Sequence, residues 1–174
     1  MNRIAIVGSG GSGKSVLAIQ LGSLLDIPVI HLDAVHWRPD WVAPPREEWH
    51  ETVCQLVQGE SWIIDGNYGG TMEIRLQAAD TIVFLDMPRT LCIWRVIKRR
   101  FQYLGRTRPD MAPGCPEKLD WQFLKWIWTY PSSRRPGILQ LLDEYSHNRP
   151  IYRLRSSKEV QEFLQSVKAQ AESR

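Results

Sequence analysis

A glycine-rich segment near the amino terminus has the residue types and spacing of a phosphate-binding loop. Residues 8–15 read GSGGSGKS and directly follow the apolar run 4–7. The pattern G-x-x-x-x-G-K-[ST] surrounds phosphate oxygens with backbone amides, while its lysine bridges the β- and γ-phosphates and its hydroxyl ligates Mg²⁺. The predicted nucleotide-binding residues of this segment are Gly8, Ser9, Gly10, Gly11, Ser12, Gly13, Lys14 and Ser15. An accidental glycine turn is disfavoured because a strand-like run precedes the segment and a helical pattern follows it.

Two aspartates follow apolar, strand-like runs and are candidates for chemistry beside that loop. Asp65 is predicted to hold Mg²⁺ through water, together with Ser15. Asp33 could take a proton from an attacking hydroxyl or ligate Mg²⁺ itself. A turn or helix cap is the structural alternative for both aspartates. The flanking His31 and His36 are interpreted as packing residues.

A basic stretch between residues 90 and 109 contains six cationic side chains and no acidic one. Such a block favours phosphates or a nucleic-acid backbone as a partner, with a solvated helix face as the alternative. Arg95 and Arg99 share one helical face at a spacing of four residues. They are the predicted catalytic cations, ahead of Arg106 and Arg108, and Arg95 is also a predicted nucleotide-binding residue.

Alternating strand and helix patterns predict the scaffold that positions these groups. Strands are predicted at residues 3–7, 29–32, 61–64, 81–85 and 151–154, and helices at 14–25, 45–57 and 90–103. Residues 33–45 contain three prolines and are predicted to be irregular. This order predicts an α/β fold, a parallel sheet with helices on both faces and ligands at the carboxyl ends of its strands. Gly8, Asp33, Asp65 and Asp86 all follow such ends.

The overall composition is that of one ordinary globular domain. The chain has 174 residues, 43% of them apolar, a net charge of +3 and three cysteines at spacings that fit no metal pattern. A single domain over residues 1–174 is predicted, with a cytoplasmic location and reduced thiols. No apolar run approaches the ~18 residues that span a bilayer. The low net charge gives no reason to expect a bulk nucleic-acid tether.

Later stretches of the chain carry a resemblance to a known family. These stretches read PVIHLDAVHW, WIIDGNYGGTMEIRL, IVFLDMPRTLCIWRVIKRR and RTRPDMAPGCPEKLD. With the glycine loop they resemble an adenylate-kinase-like P-loop kinase, and more closely the bacterial group called DNA topology modulation protein or adenylate-kinase-related protein. The resemblance implies a three-layer P-loop NTPase fold with sheet order 2-3-1-4-5, an acceptor-side excursion at 33–60 and a lid-like insertion at 100–136. It also implies ATP and Mg²⁺, with Asp65 near the metal and Arg95 and Arg99 opening the lid.

The segments that would hold the phosphoryl acceptor depart from the adenylate kinase pattern. Residues 66–69 read Gly-Asn-Tyr-Gly where those kinases have Gly-Phe-Pro-Arg, and Arg75 comes further on. An aspartate at position 33 suits a hydroxyl acceptor, whereas Arg38 and Arg46 would suit a phosphate, and Trp37 or Trp41 could stack on a base. The predicted substrate-binding residues are Asp33, Trp37, Arg38, Asp65 and Asn67.

The leading functional hypothesis is therefore a phosphotransferase that passes the γ-phosphoryl of ATP to a small acceptor. Both a nucleoside monophosphate and a nucleoside-like hydroxyl compound remain open as that acceptor. The alternative is an ATP-binding, nucleic-acid-associated regulator that uses the basic residues 95–108, which the sequence does not favour because no DNA-binding motif stands out. A GTPase is discounted, since no N-K-x-D signature is present. A monomer or homodimer without membrane attachment is expected.

Overall fold

A parallel sheet of five strands forms the centre of the protein. The computed structural model describes residues 1–108, 110–116 and 120–172. Within them the strands are β1 (Arg3–Gly8), β2 (Val29–His31), β3 (Trp62–Asp65), β4 (Thr81–Leu85) and β5 (Ile151–Leu154). Their order is β2-β3-β1-β4-β5, and every neighbouring pair is parallel. The sheet order implied by the resemblance is confirmed.

Helices cover both faces of this sheet. They are α1 (Lys14–Leu25), α2 (Leu32–His36), α3 (Arg46–Leu56), α4 (Met72–Ala78), α5 (Arg89–Gln102), α6 (Trp121–Ser133), α7 (Arg135–Tyr145) and α8 (Ser157–Glu172). None of the helices in the described ranges is long and apolar enough to cross a bilayer. The two-residue period of β1 separates the layers. Ile4 and Ile6 pack with residues of α1, α5 and α8, whereas Ala5 and Val7 pack with residues of α3, α4 and α7.

The segment after β2 differs from the sequence prediction. Residues 33–45 were expected to be irregular, but Leu32–His36 forms a helix that begins directly after the strand. Leu32 is fully buried among apolar side chains, so packing stabilises a short helix that local pattern does not reveal. Pro39 then begins a single 3-10 turn, Pro39–Trp41. The excursion is therefore more ordered than its prolines indicate.

The predicted lid-like region at 100–136 is described over residues 100–108, 110–116 and 120–136. Residues 109 and 117–119 of this region lie outside the described residues. Met111, Ala112 and Cys115 are buried against Trp37 and Trp41. Helix α6 then begins after Asp120, whose carboxylate accepts the Gln122 backbone N–H at 2.9 Å and caps it. The region thus packs onto the segment that follows β2.

Candidate active site

The glycine loop between β1 and α1 is held tightly against helix α5. Gly11 has a φ of +74°, in the left-handed region that side chains other than glycine rarely adopt. A Cβ at this position would lie inside contact distance of the Cys92 carbonyl oxygen and 3.0 Å from Val96 Cγ2. Glycine is therefore required here both by backbone conformation and by the close approach of α5.

Lys14 starts helix α1 and lies in the middle of the site. Its Nζ donates a hydrogen bond to the Ser9 carbonyl at 2.9 Å, which holds the ammonium over the loop. Burial lowers the pKa of Lys14, while the negative charges of Asp33 and Asp65 partly offset that effect. An anion bound at the loop would compensate the buried positive charge.

Two serine hydroxyls of the loop lack a partner. Ser9 and Ser12 are both buried, and their Oγ atoms form no hydrogen bond with the residues that the structure describes. Buried polar groups of folded proteins are almost always paired. Unpaired hydroxyls on a loop of exposed backbone amides are therefore consistent with a site built for polar oxygens such as those of a polyphosphate.

Arg95 braces the loop from the side of α5. Its Nη1 donates to the Ser12 carbonyl at 2.8 Å, and its Nη2 donates to Ser157 Oγ at 3.2 Å. The residue thus connects the glycine loop with the first turn of α8. Lys98 and Arg99, on the same helix, face the same cavity as Arg95. Much of the predicted basic segment is directed at the loop rather than away from the protein.

The carboxyl ends of β2 and β3 bring His31 and Asp65 together. The parallel register pairs these two residues directly, and His31 Nδ1 lies 2.6 Å from Asp65 Oδ2. Their side chains are only 16% and 4% exposed. The hydrogen bond to Asp65 raises the pKa of His31, although burial acts in the opposite direction. His31 lines the cavity, so its interpretation as a packing residue missed this contact.

Asp33 lies on the short helix α2 and is held by a tyrosine from the loop after β3. Tyr68 Oη donates a hydrogen bond to Asp33 Oδ1 at 2.8 Å. Burial raises the pKa of Tyr68 above its ordinary value, and the neighbouring carboxylate of Asp33 raises it further. Tyr68 is therefore a permanent donor that orients the Asp33 carboxylate. Sequence reasoning named Asp33 but not Tyr68.

Arg75 organises the loop that carries Tyr68. Its guanidinium is fully buried and donates to three backbone carbonyls, those of Gly66 at 3.0 Å, Tyr68 at 3.1 Å and Thr71 at 3.4 Å. Burial lowers the pKa of Arg75 to about 10. The side chain is thus occupied by the backbone, and it is absent from the cavity lining. No signal in the sequence indicated this role.

Most of the predicted site residues line one cavity of about 1300 Å³. They are residues 10–15, Asp33, Trp37, Asn67, Arg95 and Arg99. Gly8 and Ser9 do not line the cavity. Asp65 does not line it either, but its carboxylate forms a hydrogen bond with His31, which does. Arg38 is not brought to the site, because it forms an ion pair with Glu48 in which both side chains are about half exposed. The structure therefore gathers the loop, Asp33 and the α5 arginines, and leaves Arg38 at the surface.

The far side of the cavity is closed by residues from the region between α5 and α7. Arg108 and Asp110 line it and form an ion pair at 3.1 Å. Phe123 and Trp126 of α6 also line it, with their rings stacked at a centroid distance of 5.9 Å. A Cβ on Gly10 would meet the Phe123 ring, which shows how closely α6 covers the loop.

Asp86, at the carboxyl end of β4, has a role in the scaffold. Its carboxylate accepts hydrogen bonds from Arg135 of α7 and Arg153 of β5, at 2.6–3.1 Å. Burial alone would raise the pKa of Asp86, but the two guanidinium groups outweigh it and lower the pKa below its ordinary value. The residue fastens β4, β5 and α7 together beside the cavity.

Solved structures with the same architecture include two shikimate kinases and a gluconokinase. The shikimate kinase from Bacteroides thetaiotaomicron is 17% identical with a TM-score of 0.56, and 98% of each chain is covered. The shikimate kinase from Acinetobacter baumannii, in complex with shikimate, is 16% identical with a TM-score of 0.59, covering 99% of this chain and 94% of the other. The gluconokinase from Sinorhizobium meliloti 1021 is 14% identical with a TM-score of 0.53, covering 99% and 92%.

At these identities the similarity shows the fold alone. It confirms the predicted P-loop α/β architecture, since these kinases share its five-stranded parallel sheet with helices on both sides. No family model matches the sequence, and no curated protein matches it. Membership of the DNA topology modulation group therefore stays a prediction.

Proposed function

We propose that the protein is an ATP-dependent phosphotransferase that transfers the γ-phosphoryl group to a hydroxyl of a small molecule. One observation carries the proposal: the glycine loop with Lys14 and the carboxylate of Asp33 line the same cavity. The cavity volume of about 1300 Å³ exceeds the range of about 300–1000 Å³ that holds one drug-sized ligand. The site therefore has room for a nucleotide and a second, smaller molecule.

The donor end of the site suits a triphosphate. Backbone amides of the loop, the Lys14 ammonium and the unpaired hydroxyl of Ser12, which lines the cavity, would hold phosphate oxygens. Ser15 lines the cavity and would ligate Mg²⁺, while Asp65, which is hydrogen-bonded to His31, would interact with the ion through water. The ion would supply charge neutralisation at the β- and γ-phosphates. Arg95 keeps the loop in shape through Ser12.

The acceptor end suits a hydroxyl group. Asp33 is held in one orientation by Tyr68, and its carboxylate lines the cavity, where it can accept the proton of an attacking hydroxyl. A phosphate acceptor is already anionic and needs no such base. The similar structures, shikimate kinases and a gluconokinase, support a small acceptor for the present chain.

The walls of the cavity favour transfer over hydrolysis. Phe123 and Trp126 cover the loop from α6, and Met111 lies on the acceptor side. Apolar side chains around a triphosphate exclude water, and water is the competing nucleophile. We expect ATP turnover in the absence of an acceptor to be slow for this reason.

The test is ATP consumption in the presence of a panel of small hydroxyl compounds and nucleotides. At least one compound should stimulate turnover of the wild-type protein, and Lys14→Ala should abolish the stimulation. Lys168→Ala, at an exposed position of α8, is the matched control and should retain wild-type turnover. The proposal fails if no compound stimulates turnover, or if Lys14→Ala and Lys168→Ala turn over ATP equally.

A further inference from the structure

The charges around the cavity are divided between its two ends. Lys14, Arg95 and Arg99 come from the start of α1 and from α5, and they surround the glycine loop. Arg99 is close enough to Lys14 to lower the pKa of its ammonium. Lys98 of α5 also lines the cavity, so four cations of the described residues belong to the end where the triphosphate would bind.

The opposite end is formed by carboxylates and by one neutralised cation. Asp33 and Asp110 both lie near His31, whose pKa each of them raises, and Asp33 also raises the pKa of Lys14, so it lies where the two ends of the cavity meet. Within the described part of the chain, the basic residues lining this end are Arg108, which Asp110 binds at 3.1 Å, and His31, which lies 2.6 Å from the Asp65 carboxylate. The two side chains of the Arg108–Asp110 ion pair are only 9% and 16% exposed. The Arg108 charge is therefore already compensated, and Asp33 leaves the acceptor end net negative.

Three other arginines that were considered for an acceptor phosphate, Arg38, Arg46 and Arg75, do not line the cavity. Arg75, which follows the loop where adenylate kinases have their phosphate-gripping arginine, is buried and donates to three backbone carbonyls. Arg38 pairs with Glu48 at the surface and does not line the cavity. Neither guanidinium is placed to compensate a second anion beside the triphosphate.

The same end presents aromatic surface in place of positive charge. Trp37 and Trp41 line it and meet edge to face, with ring centroids 5.5 Å apart and an interplanar angle of 64°. Met111 and Cys115 pack behind them, which restricts the rings to these positions. A rigid aromatic wall binds a planar ring by stacking.

We propose that the acceptor is an uncharged hydroxyl compound with a planar ring, the class that includes nucleosides, and not a nucleoside monophosphate. This inference rests on the proposed function and specifies its substrate class. The hydroxyl would lie at Asp33 and the ring on Trp37. A phosphate or carboxylate on the acceptor would be placed among carboxylates in a site that excludes water, where like charges repel strongly.

The experiment uses pairs of compounds that differ by one phosphate. Adenosine, guanosine, cytidine, thymidine and pyridoxine are each compared with the corresponding 5′-phosphate, as stimulants of ATP turnover and as ligands measured by calorimetry with a non-hydrolysable ATP analogue. For the pair whose uncharged compound stimulates turnover, that compound should have a kcat/KM about 100-fold higher than its 5′-phosphate. A discrimination of this size is common when one compound carries a group that a closed pocket does not accommodate. The phosphorylated member should bind correspondingly more weakly.

A variant of the acceptor end tests the charge argument directly. Asp110→Asn removes one negative charge from the acceptor end, so it should improve the phosphorylated member about tenfold or more and reduce the discrimination. Asp143→Asn, at an exposed position on α7, is the matched control and should leave the discrimination unchanged. An equal change in both variants would show that local charge at Asp110 does not determine the preference and would overturn this part of the inference.

The outcomes separate the inference from the function on which it rests. A preference for any phosphorylated or carboxylated acceptor over its uncharged counterpart overturns the substrate class and leaves the phosphotransferase proposal standing. If the ATP analogue binds in a Lys14-dependent manner but neither member of any pair binds, the inference fails and the donor site remains. If the ATP analogue itself does not bind, the proposed function fails and the inference with it.

Discussion

Replacing Gly11 by alanine should disable the glycine loop. The residue has a φ of +74°, and an added Cβ would press on the Cys92 carbonyl, lie 3.0 Å from the Cys92 carbonyl carbon and touch Val96. Both of these neighbours belong to α5 and are buried in the core, so they cannot move aside easily. The loop itself would have to shift away from the helix.

The size of the effect follows from two separate costs. A left-handed backbone costs a residue with a Cβ about 1–2 kcal/mol. Forcing one extra carbon into a packed region costs about 1–3 kcal/mol more. Together these predict a loss of about 2–5 kcal/mol, which corresponds to about 30-fold to 5,000-fold in nucleotide affinity if the strain is relieved by distorting the loop.

Calorimetric titration with a non-hydrolysable ATP analogue measures this loss. Thermal unfolding of the same samples shows how much of the strain instead destabilises the fold, at about 2–4 °C per kcal/mol for a chain of this size. Gly70→Ala is the matched control, because a Cβ there meets nothing within 4 Å. It should bind and unfold like the wild type.

One result would refute the reasoning. If Gly11→Ala binds the analogue within threefold of the wild type and unfolds at the same temperature, the loop does not need the backbone conformation and the contact with α5 described above. A loss shared equally by Gly11→Ala and Gly70→Ala would also refute it, since it would point to a general effect of glycine replacement.

Two further substitutions test the acceptor residue and the scaffold. Tyr68→Phe removes the hydrogen bond to the Asp33 carboxylate, and a hydrogen bond to a charged group contributes about 1.5–3 kcal/mol. Steady-state kinetics should show kcat/KM for the phosphoryl acceptor reduced about 10-fold to 100-fold. An effect confined to the KM for ATP would contradict this role. Asp86→Asn removes a carboxylate whose pKa is lowered in the folded state by Arg135 and Arg153. This carboxylate therefore stabilises the folded protein above the ordinary aspartate pKa of about 3.9, and the stabilisation is lost as the pH falls below that value. Denaturant unfolding should therefore show a loss of about 1.5–3 kcal/mol at pH 7 that shrinks toward zero below pH ~4, and a pH-independent loss would exclude the ionic explanation.

The elements that were predicted correctly are those with a local signal. Strand β4 and strand β5 begin and end at the predicted residues, because short apolar runs bounded by turn residues define them. The ends of helices α1 and α5 lie within one residue of prediction, because a helical pattern of residues is also a local signal. Helix α2 was missed, since its stability comes from the burial of Leu32 and its sequence is followed by prolines.

Several groups of the candidate site could not be predicted from the sequence. Tyr68 and Asp33 are 35 residues apart and meet only because β2 and β3 are neighbours. The contact of His31 with Asp65 likewise requires the strand register. Arg38 was predicted to bind the substrate, but it forms an ion pair with Glu48, and this contact depends on where α3 lies.

By itself, the sequence determined that residues 8–15 form a glycine loop between a strand and a helix and predicted that this loop binds phosphate, because eight consecutive residues contain the whole pattern and its backbone requirements. Tertiary structure alone decided which charges surround that loop and which are withdrawn from it. Arg95 forms a hydrogen bond with Ser12, which lies 83 residues away in the sequence. Arg75, by contrast, donates to backbone carbonyls, and Arg108 forms an ion pair with Asp110. Charge type can be read from the amino-acid sequence, but charge compensation depends on distance in space, and only the folded chain brings these partners within reach.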